Sequence, residues 1–593
     1  MGFFIWYRKR MIKLNKFLGF VLIFMMFTFC SCEKQGEIVQ NREVVFVNGV
    51  DEFDKETLYL IPSNPDALPK NSLNRKDTLI IGMPAPSGVF NPLFAISVND
   101  VDVNDTMWDP ILEIDGNGNV TDGVTYLPEI LKDENTYNFT IKDDAVWQDG
   151  EPITSYDMEF TFKVLMDKTY TGTFERDNFN MFGWENYRDG VTDSIEGFKI
   201  IDDKRFSIKF NSINAKKNYY FERIKPLAFH VYGKDYVQGE AFKIELLNRK
   251  PFGNGPYKFV EYIEGEEVRL VANENYYNGK PKIKNLILKV INDSNQISLI
   301  ENGDVDIIRK TILPTQENFT ILNDMGFVGG ILTDVLGYGY IAINHKEEIM
   351  RDINIRQALA YGLDRETIVK ASFGDYGSVL DIPQNKNSYF YPDTEDFIKY
   401  DYNPDKAIEL LEKSGWFLGE DGIRERNGQK LSLKFIVGST NEVNDVLIPI
   451  MIDNYKKIGI DIMVEFMESK TLIQRQKDAK DGKFSYHLSF MFTPFASPDP
   501  DSSSRFSTNG PSNRFSYSNE TVDKLLEDAL NELDNVKRKE IYAELYKEIA
   551  YDLPYIFLFE RKNIDIYTSK VKGIKNYNLN RWFSKDLEKL YIE

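Results

Sequence analysis

Cysteine is almost missing from this chain: two occur in 593 residues, Cys30 and Cys32, both close to the N-terminus. Everything after Cys32 therefore lacks a disulfide, a thiolate metal site and a cysteine nucleophile. Histidine is nearly as scarce. His230, His345 and His487 are scattered, with no His-Glu-x-x-His arrangement, and ordinary packing or surface roles are expected for all three. Neither a Gly-x-Ser-x-Gly elbow nor a P-loop occurs. Positive charge is in deficit: the formal net charge is -20, which argues against nucleic acid as a partner, because neutralising phosphates requires a basic face. Net charge does not determine the charge lining a pocket, so it says little about a small ligand. An apolar run of membrane-spanning length is also missing, since the stretch from Leu18 to Phe29 is too short for a span.

What is present is an ordinary globular balance, with 42% hydrophobic and 28% charged residues, which excludes a disordered or multi-spanning chain. The length favours roughly three to four domains. Met1 to Ser31 read as an export signal: Arg8, Lys9, Arg10, Lys13 and Lys16 form a basic region ahead of the apolar run, with Met1 or Met11 as the start. The run ends in Phe29-Cys30-Ser31-Cys32, which resembles a lipobox, where a small residue precedes the cysteine that takes a lipid. Cys32 follows Ser31 and is the expected lipid acceptor; the other reading is a plain signal peptide cleaved nearby. Residues 32–76 are polar and charged and read as a tether, with a short strand at Val44 to Val47. The body should begin near Thr78 with the strand LIIGM and a Gly/Pro turn.

Along the body, FKIIDDKRFSIKF (198–210) and YKFVEYIEGEEVRLVAN (257–273) each place two β-rich runs around a polar turn, predicting hairpins. LSLKFIV (431–437), the apolar periodic segment from Val443 to Tyr455, Gly459 and IDIMVEF (460–466) predict a βαβ unit. Asn403-Pro404 opens a helix whose buried face is Ala407, Leu410 and Leu411, and Gly415 ends it. Ile355, Ala358, Leu359 and Leu363, and the stripe from Val522 to Leu533, read as core faces of helices. DGNGNVTDG (115–123) spaces Asp115, Asn117 and Asn119 like a calcium loop. Val120 stands at the required glycine and Tyr126 at the bidentate acid, so a hairpin turn is expected.

The stretch LPEILKDENTYNFTIKDDAVWQDGEPITSYDMEFTF (127–162) carries a Pro-Glu opening, a Thr-Tyr-x-Phe-x-Ile strand, a Trp147-Gln148-Asp149-Gly150 turn and a helix start at Thr154. GNGPYKF (253–259), NENYYNGKPKIKNL (273–286), ENGDVDII (301–308), NIRQALAYGLDRETIV (354–369) and YNPDKAIELLEKSGW (402–416) follow. In these motifs, over about Leu79 to Asp565, the chain resembles the family 5 extracellular solute-binding proteins: the oligopeptide, dipeptide and nickel receptors of ABC importers. The resemblance implies an α/β, two-lobed periplasmic-binding-protein-like fold (class II, cluster C type) with an extra domain in the N-terminal lobe. It places lobe I at 77–105, 240–335 and 565–593, the extra domain at 106–239 and lobe II at 336–564. It implies a monomeric, non-enzymatic receptor without a cofactor. That receptor would be lipid-anchored outside the cytoplasm and would pass a small solute, a peptide first of all, to a permease and its ATPase.

The resemblance also implies where ligand lies. Ser87, Gly88, Phe90 and Asn91 belong to the turn after the first strand, which faces the cleft in relatives. Phe160 lies where the helix after the Asp149-Gly150 turn sends an aromatic toward ligand. For Phe90 and Phe160, core packing is the other reading. In peptide-binding members a loop reading Trp-x-x-Asp-x-x-Asp-Pro-Asp holds the ligand's free amine. Here the stretch is Thr493-Pro494-Phe495-Ala496-Ser497-Pro498-Asp499-Pro500-Asp501, which puts Thr493 at the aromatic and Ala496 at the amine-holding aspartate. Either Asp499 or Asp501 takes over that task, or the solute has no amine there; both carboxylates could instead merely shape a turn. Rival readings are a surface lipoprotein hydrolase such as a glycosidase, and a family 5 receptor for a sugar or metal chelate.

Overall fold

A computed structural model describes residues 59–115, 119–292, 294–439, 441, 443–495, 498–574 and 586–593. The expected export signal, Cys32, the strand at 44–47, the first part of the tether and Ala496 lie outside the described residues.

Segments that alternate in sequence pair as the alternation predicts. Phe198–Ile200 and Arg205–Lys209 are antiparallel, as are Tyr257–Ile263 and Glu267–Ala272. Ser432–Gly438, the helix Asn444–Lys457 and Asp461–Met467 make a parallel βαβ unit. Asn403 caps the helix Pro404–Lys413 by accepting from the Lys406 amide at 2.9 Å. Leu112–Ile114 pairs antiparallel with Val120–Asp122, so the calcium-like stretch connects a hairpin.

The main sheet runs, edge to edge, through 461–467, 432–438, 488–494, 337–343, 555–568, 307–312, 78–83, 285–290, 267–272 and 257–263. Its two halves are different lobes. The long strand Tyr555–Thr568 belongs to both: its start pairs with Gly337–Ile343, and its end pairs with Val328–Asp334 and Ile307–Ile312. This strand and the antiparallel 328–343 segment are the two crossings between the lobes. Each side has its own apolar core, one containing Leu79, Leu270, Leu286 and Ile307, the other Ile341, Leu359, Phe435 and Ile556.

A third core fills an additional domain on the N-terminal lobe. There a sheet of Glu129–Leu131, Thr136–Thr140, Arg205–Lys209 and Phe198–Ile200 packs on the helix Ser155–Met166. Phe139 and Phe206 stack at 5.0 Å between centroids, and Phe206 and Phe198 at 5.3 Å, the offset contacts aromatic rings prefer. Thr154 and Asp157 form a capping box at the helix start, satisfying amide donors that the helix itself leaves open.

The sequence motifs meet at the joint between this domain and its lobe. The Gln148 amide donates to the Gly253 carbonyl at 3.2 Å, and Asn275 Nδ2 to the Gln148 carbonyl at 3.2 Å. Gly253 is required because a Cβ there would lie 2.0 Å from the Met107 carbonyl oxygen. The Trp-x-x-Gly turn and the Gly-x-Gly-Pro-Tyr hairpin are thus two sides of one backbone contact.

Part of the expected tether is body. Tyr59–Leu60 pairs with the 328–334 strand, and the fully buried Asp306 takes bonds from Ser72 Oγ at 3.2 Å, Arg75 at 2.8 Å and Lys570 at 2.9 Å. One buried carboxylate gathers two cations that are distant in sequence, a contact that composition cannot signal.

His345 follows the crossing strand Gly337–Ile343, with its ring 5.2 Å from that of Tyr517. Burial, and then the neighbouring Arg356, lower its pKa from 6.5 to about 4, although the Pro554 carbonyl and Asp552 oppose this. Between those values the unfolded chain binds a proton that the native protein does not. Stability therefore falls as pH drops from about 6.5 toward 4, by up to about 3 kcal/mol. A His345→Gln variant should show a flatter decline, read as the urea midpoint at about pH 7 and about pH 4.5.

Candidate functional site

A cavity that opens to solvent lies between the additional domain and the C-terminal lobe. Asn119 and Tyr219 face it from the additional domain. Asp334 ends the strand Val328–Asp334 and Leu336 lies on the turn after it, and the loop Gln384 to Phe390, with Phe495, Pro498 and Asn535, closes the opposite side. Its walls thus belong to both halves of the molecule. A second cavity sits against the strand ends at Met83 and Leu288, lined also by Val98, Asp102 and Arg309. That is the edge of parallel strands where α/β sheets commonly receive ligands.

Polar groups around the first cavity are bonded within the protein. Asp334 accepts from Lys562 Nζ and Asn387 Nδ2, each at 2.6 Å. Asn385 bonds both polar groups of Gly337, accepting from its amide at 2.9 Å and donating to its carbonyl at 3.1 Å, and donates to Glu560 at 3.0 Å. It thereby pins the turn between Val328–Asp334 and Gly337–Ile343. Burial raises the pKa of Tyr219, with Asp499 adding to the rise, so the phenol stays neutral.

The loop singled out in the sequence borders this cavity. Thr493 is buried, its hydroxyl 3.1 Å from that of Tyr340. Asp499 forms a bidentate pair with Arg538 at 2.7 and 3.1 Å and accepts from the Asp501 amide at 2.9 Å. Asp501 in turn accepts from the Ser503 amide at 3.0 Å and from Lys216 at 3.0 Å. Burial, which would raise the Asp501 pKa, is outweighed by Lys216 and the Ser503 hydroxyl and amide, leaving it below the usual carboxylate range.

The other sequence candidates lie elsewhere. Ser87 Oγ and the Gly88 amide both bond Asp100, and a Cβ on Gly88 would meet the ring of Tyr262 at 2.9 Å. Its backbone approaches protein side chains. Phe90 is fully buried against Phe259 and Tyr262 at 5.9 and 5.0 Å. Buried Asn91 accepts from the Leu93 amide at 3.1 Å. Phe160, 2% exposed, packs edge-on against Phe229 and Tyr236 in the core of the additional domain. None of these five lines the first cavity. No periodicity marks the segment from Gln384 to Phe390 in the sequence; amides interleaved with aromatics in a loop are its only signal.

Lys216 and Asp501 also join the two halves, as does the bond from the Ala215 amide to the Leu530 carbonyl at 2.9 Å. The Lys216 side chain is 30% exposed, so the pair contributes about 1 kcal/mol or less. Lys216→Met should weaken ligand affinity by no more than about fivefold. High salt should mimic the variant in a titration calorimeter.

Among the described residues no group of three or more His, Cys, Asp or Glu side chains is placed to hold a metal ion, and no helix is long and apolar enough to cross a membrane.

Residues 120–513 match the model for bacterial extracellular solute-binding proteins, family 5 Middle. The oligopeptide-binding protein AppA of Bacillus subtilis is 27% identical over 523 residues, covering 85% of this chain and 91% of that protein. The nickel-binding periplasmic protein of Escherichia coli is 24% identical over 421 residues, covering 68% and 74%. Among solved structures, Bacillus subtilis AppA in complex with a nonapeptide superposes with a TM-score of 0.68 at 25% identity, covering 88% of this chain and 99% of that one. CtaP, a substrate-binding protein of Listeria monocytogenes, superposes with a TM-score of 0.73 at 22% identity, covering 87% and 99%; at that identity the likeness concerns the fold.

Proposed function

We propose that this chain, which belongs to the bacterial extracellular solute-binding proteins of family 5, captures a peptide between its lobes and delivers it unchanged to the permease and ATPase of an ABC importer. The observation that carries this reading is the cavity whose walls come from both halves of the molecule. A ligand touching both walls binds the closed state better than the open one, and closure is favoured by that difference. Micromolar capture requires about 8 kcal/mol of net binding, within reach of a cleft offering apolar surface and hydrogen bonds from both sides. Peptide as the solute is supported by the similarity to AppA, whose solved structure holds a nonapeptide.

In this reading Thr493, Asp499 and Asp501 position Phe495 and Pro498 at the ligand, while Ser87, Gly88 and Asn91 hold the turn after the first strand. The lobe boundaries are those implied by the motifs, with lobe I extended to include the residues from Tyr59. Met1 to Ser31 serve as the export signal, and Cys32 carries the lipid that moors a monomer on the extracytoplasmic side. Mass measurement of the N-terminal peptide from cells tests the anchor: a diacylglyceryl adduct on Cys32 is expected, and an unmodified residue removes it.

Titration calorimetry with mixed short peptides and, separately, oligosaccharides tests the function. Heat of association with peptides and no chemical conversion are expected. Binding confined to oligosaccharides, or their hydrolysis, would replace the reading with one of its rivals.

A further inference from the structure

Among the described residues, the carboxylates at the cavity between the lobes already have partners within the protein. Asp334 is held by Lys562 and Asn387, Glu560 by Asn385 and the Lys386 amide, Asp499 by Arg538, and Asp501 by Lys216 and Ser503. Asp534, at the start of the helix carrying Asn535, accepts from the Val536 and Lys537 amides as its N-cap. At the second cavity Asp102 also has a partner within the protein. What remains at the first cavity is amide, hydroxyl and ring: Asn387, Ser388, Asn535, Tyr219, Tyr389 and Phe495.

An ammonium group enclosed by such walls would lose its hydration without gaining a counter-ion, and a buried unpaired charge is strongly disfavoured. Recruiting Asp499 would strip the bidentate partner from Arg538, which is 1% exposed, and merely transfer the unpaired charge. Recruiting Asp334 or Asp501 would likewise take the counter-ion from Lys562 or Lys216. Neutral amides and phenols instead suit peptide groups and uncharged side chains, which they bond or cover at no such cost.

We propose that the part of the solute enclosed in this cavity carries no free amino group, so that the protein takes peptides with a blocked amino end or encloses an internal stretch of a longer one. This rests on the peptide reading above. The test is calorimetric titration of the whole chain in mild detergent with pairs of identical short peptides, one amino terminus free and the other acetylated. The acetylated forms should bind within about threefold of the free forms, or more tightly. A loss of about tenfold or more on acetylation, in peptides that do bind when free, would overturn the proposal and leave the peptide reading standing. If neither form of any pair binds, the peptide reading itself falls, and this inference with it.

Discussion

An Arg538→Met variant is expected to lose about 3–5 kcal/mol of stability in the C-terminal lobe, the usual consequence of removing one partner of a buried ion pair. Arg538 is enclosed: Nε donates to the Ala529 carbonyl at 2.9 Å, two nitrogens grip Asp499, and the guanidinium lies 5.3 and 5.4 Å from the rings of Phe390 and Tyr542. Without it Asp499 is left buried with its charge uncompensated. Phe390 is a cavity wall and Asp499 is next to Pro498, so ligand binding should be lost along with stability. Urea unfolding followed by fluorescence gives the lobe's midpoint. The paired change Arg538→Met with Asp499→Leu should recover part of the loss, because apolar residues in place of both ions leave no unpaired charge, although the Ala529 carbonyl and the Asp501 amide lose their partners. If the single variant unfolds like the wild type, the pair does not organise this side of the cleft.

Leu336→Trp should reduce ligand affinity by at least about a hundredfold, equivalent to about 2.7 kcal/mol, while leaving the unfolding midpoint nearly unchanged. Leu336 lies half-buried on the turn between Val328–Asp334 and Gly337–Ile343, and it packs with Ile114 and Tyr219 of the additional domain. Its carbonyl accepts from the Phe495 amide at 3.1 Å. That bond uses backbone and survives the substitution. An indole there grows into empty space rather than into a packed core, so the usual cost of overpacking is small, but it occupies volume the ligand needs. Unaltered affinity in calorimetry would move the ligand out of this cavity, with the lobe I cavity beside Arg309 as the alternative.

Local chemistry was legible in the sequence wherever it acts over a few residues. Alternation announced both hairpins, and the asparagine and proline at 403–404 announced a helix start. The role of the loop after Thr493 was legible only as a choice. Asp499 and Asp501 were named as candidate ligands or as turn formers, and which they are depends on Arg538 and Lys216, 39 and 285 residues away in sequence. Phe90 and Phe160 posed a similar choice: an aromatic on a predicted element gives no sign of which face it takes until the opposing surface exists.

By itself, then, the order of residues determined the kinds of elements, because strands, helices, caps and turns obey periodicities and side-chain bonds that span only a few positions, while the family and the two-lobed plan were legible through motifs shared with known relatives. Only the tertiary structure decided which residues wall the cavity and which charges are spent. A cleft is made of residues that are strangers along the chain, and a carboxylate is free or committed according to the cation that folding brings beside it.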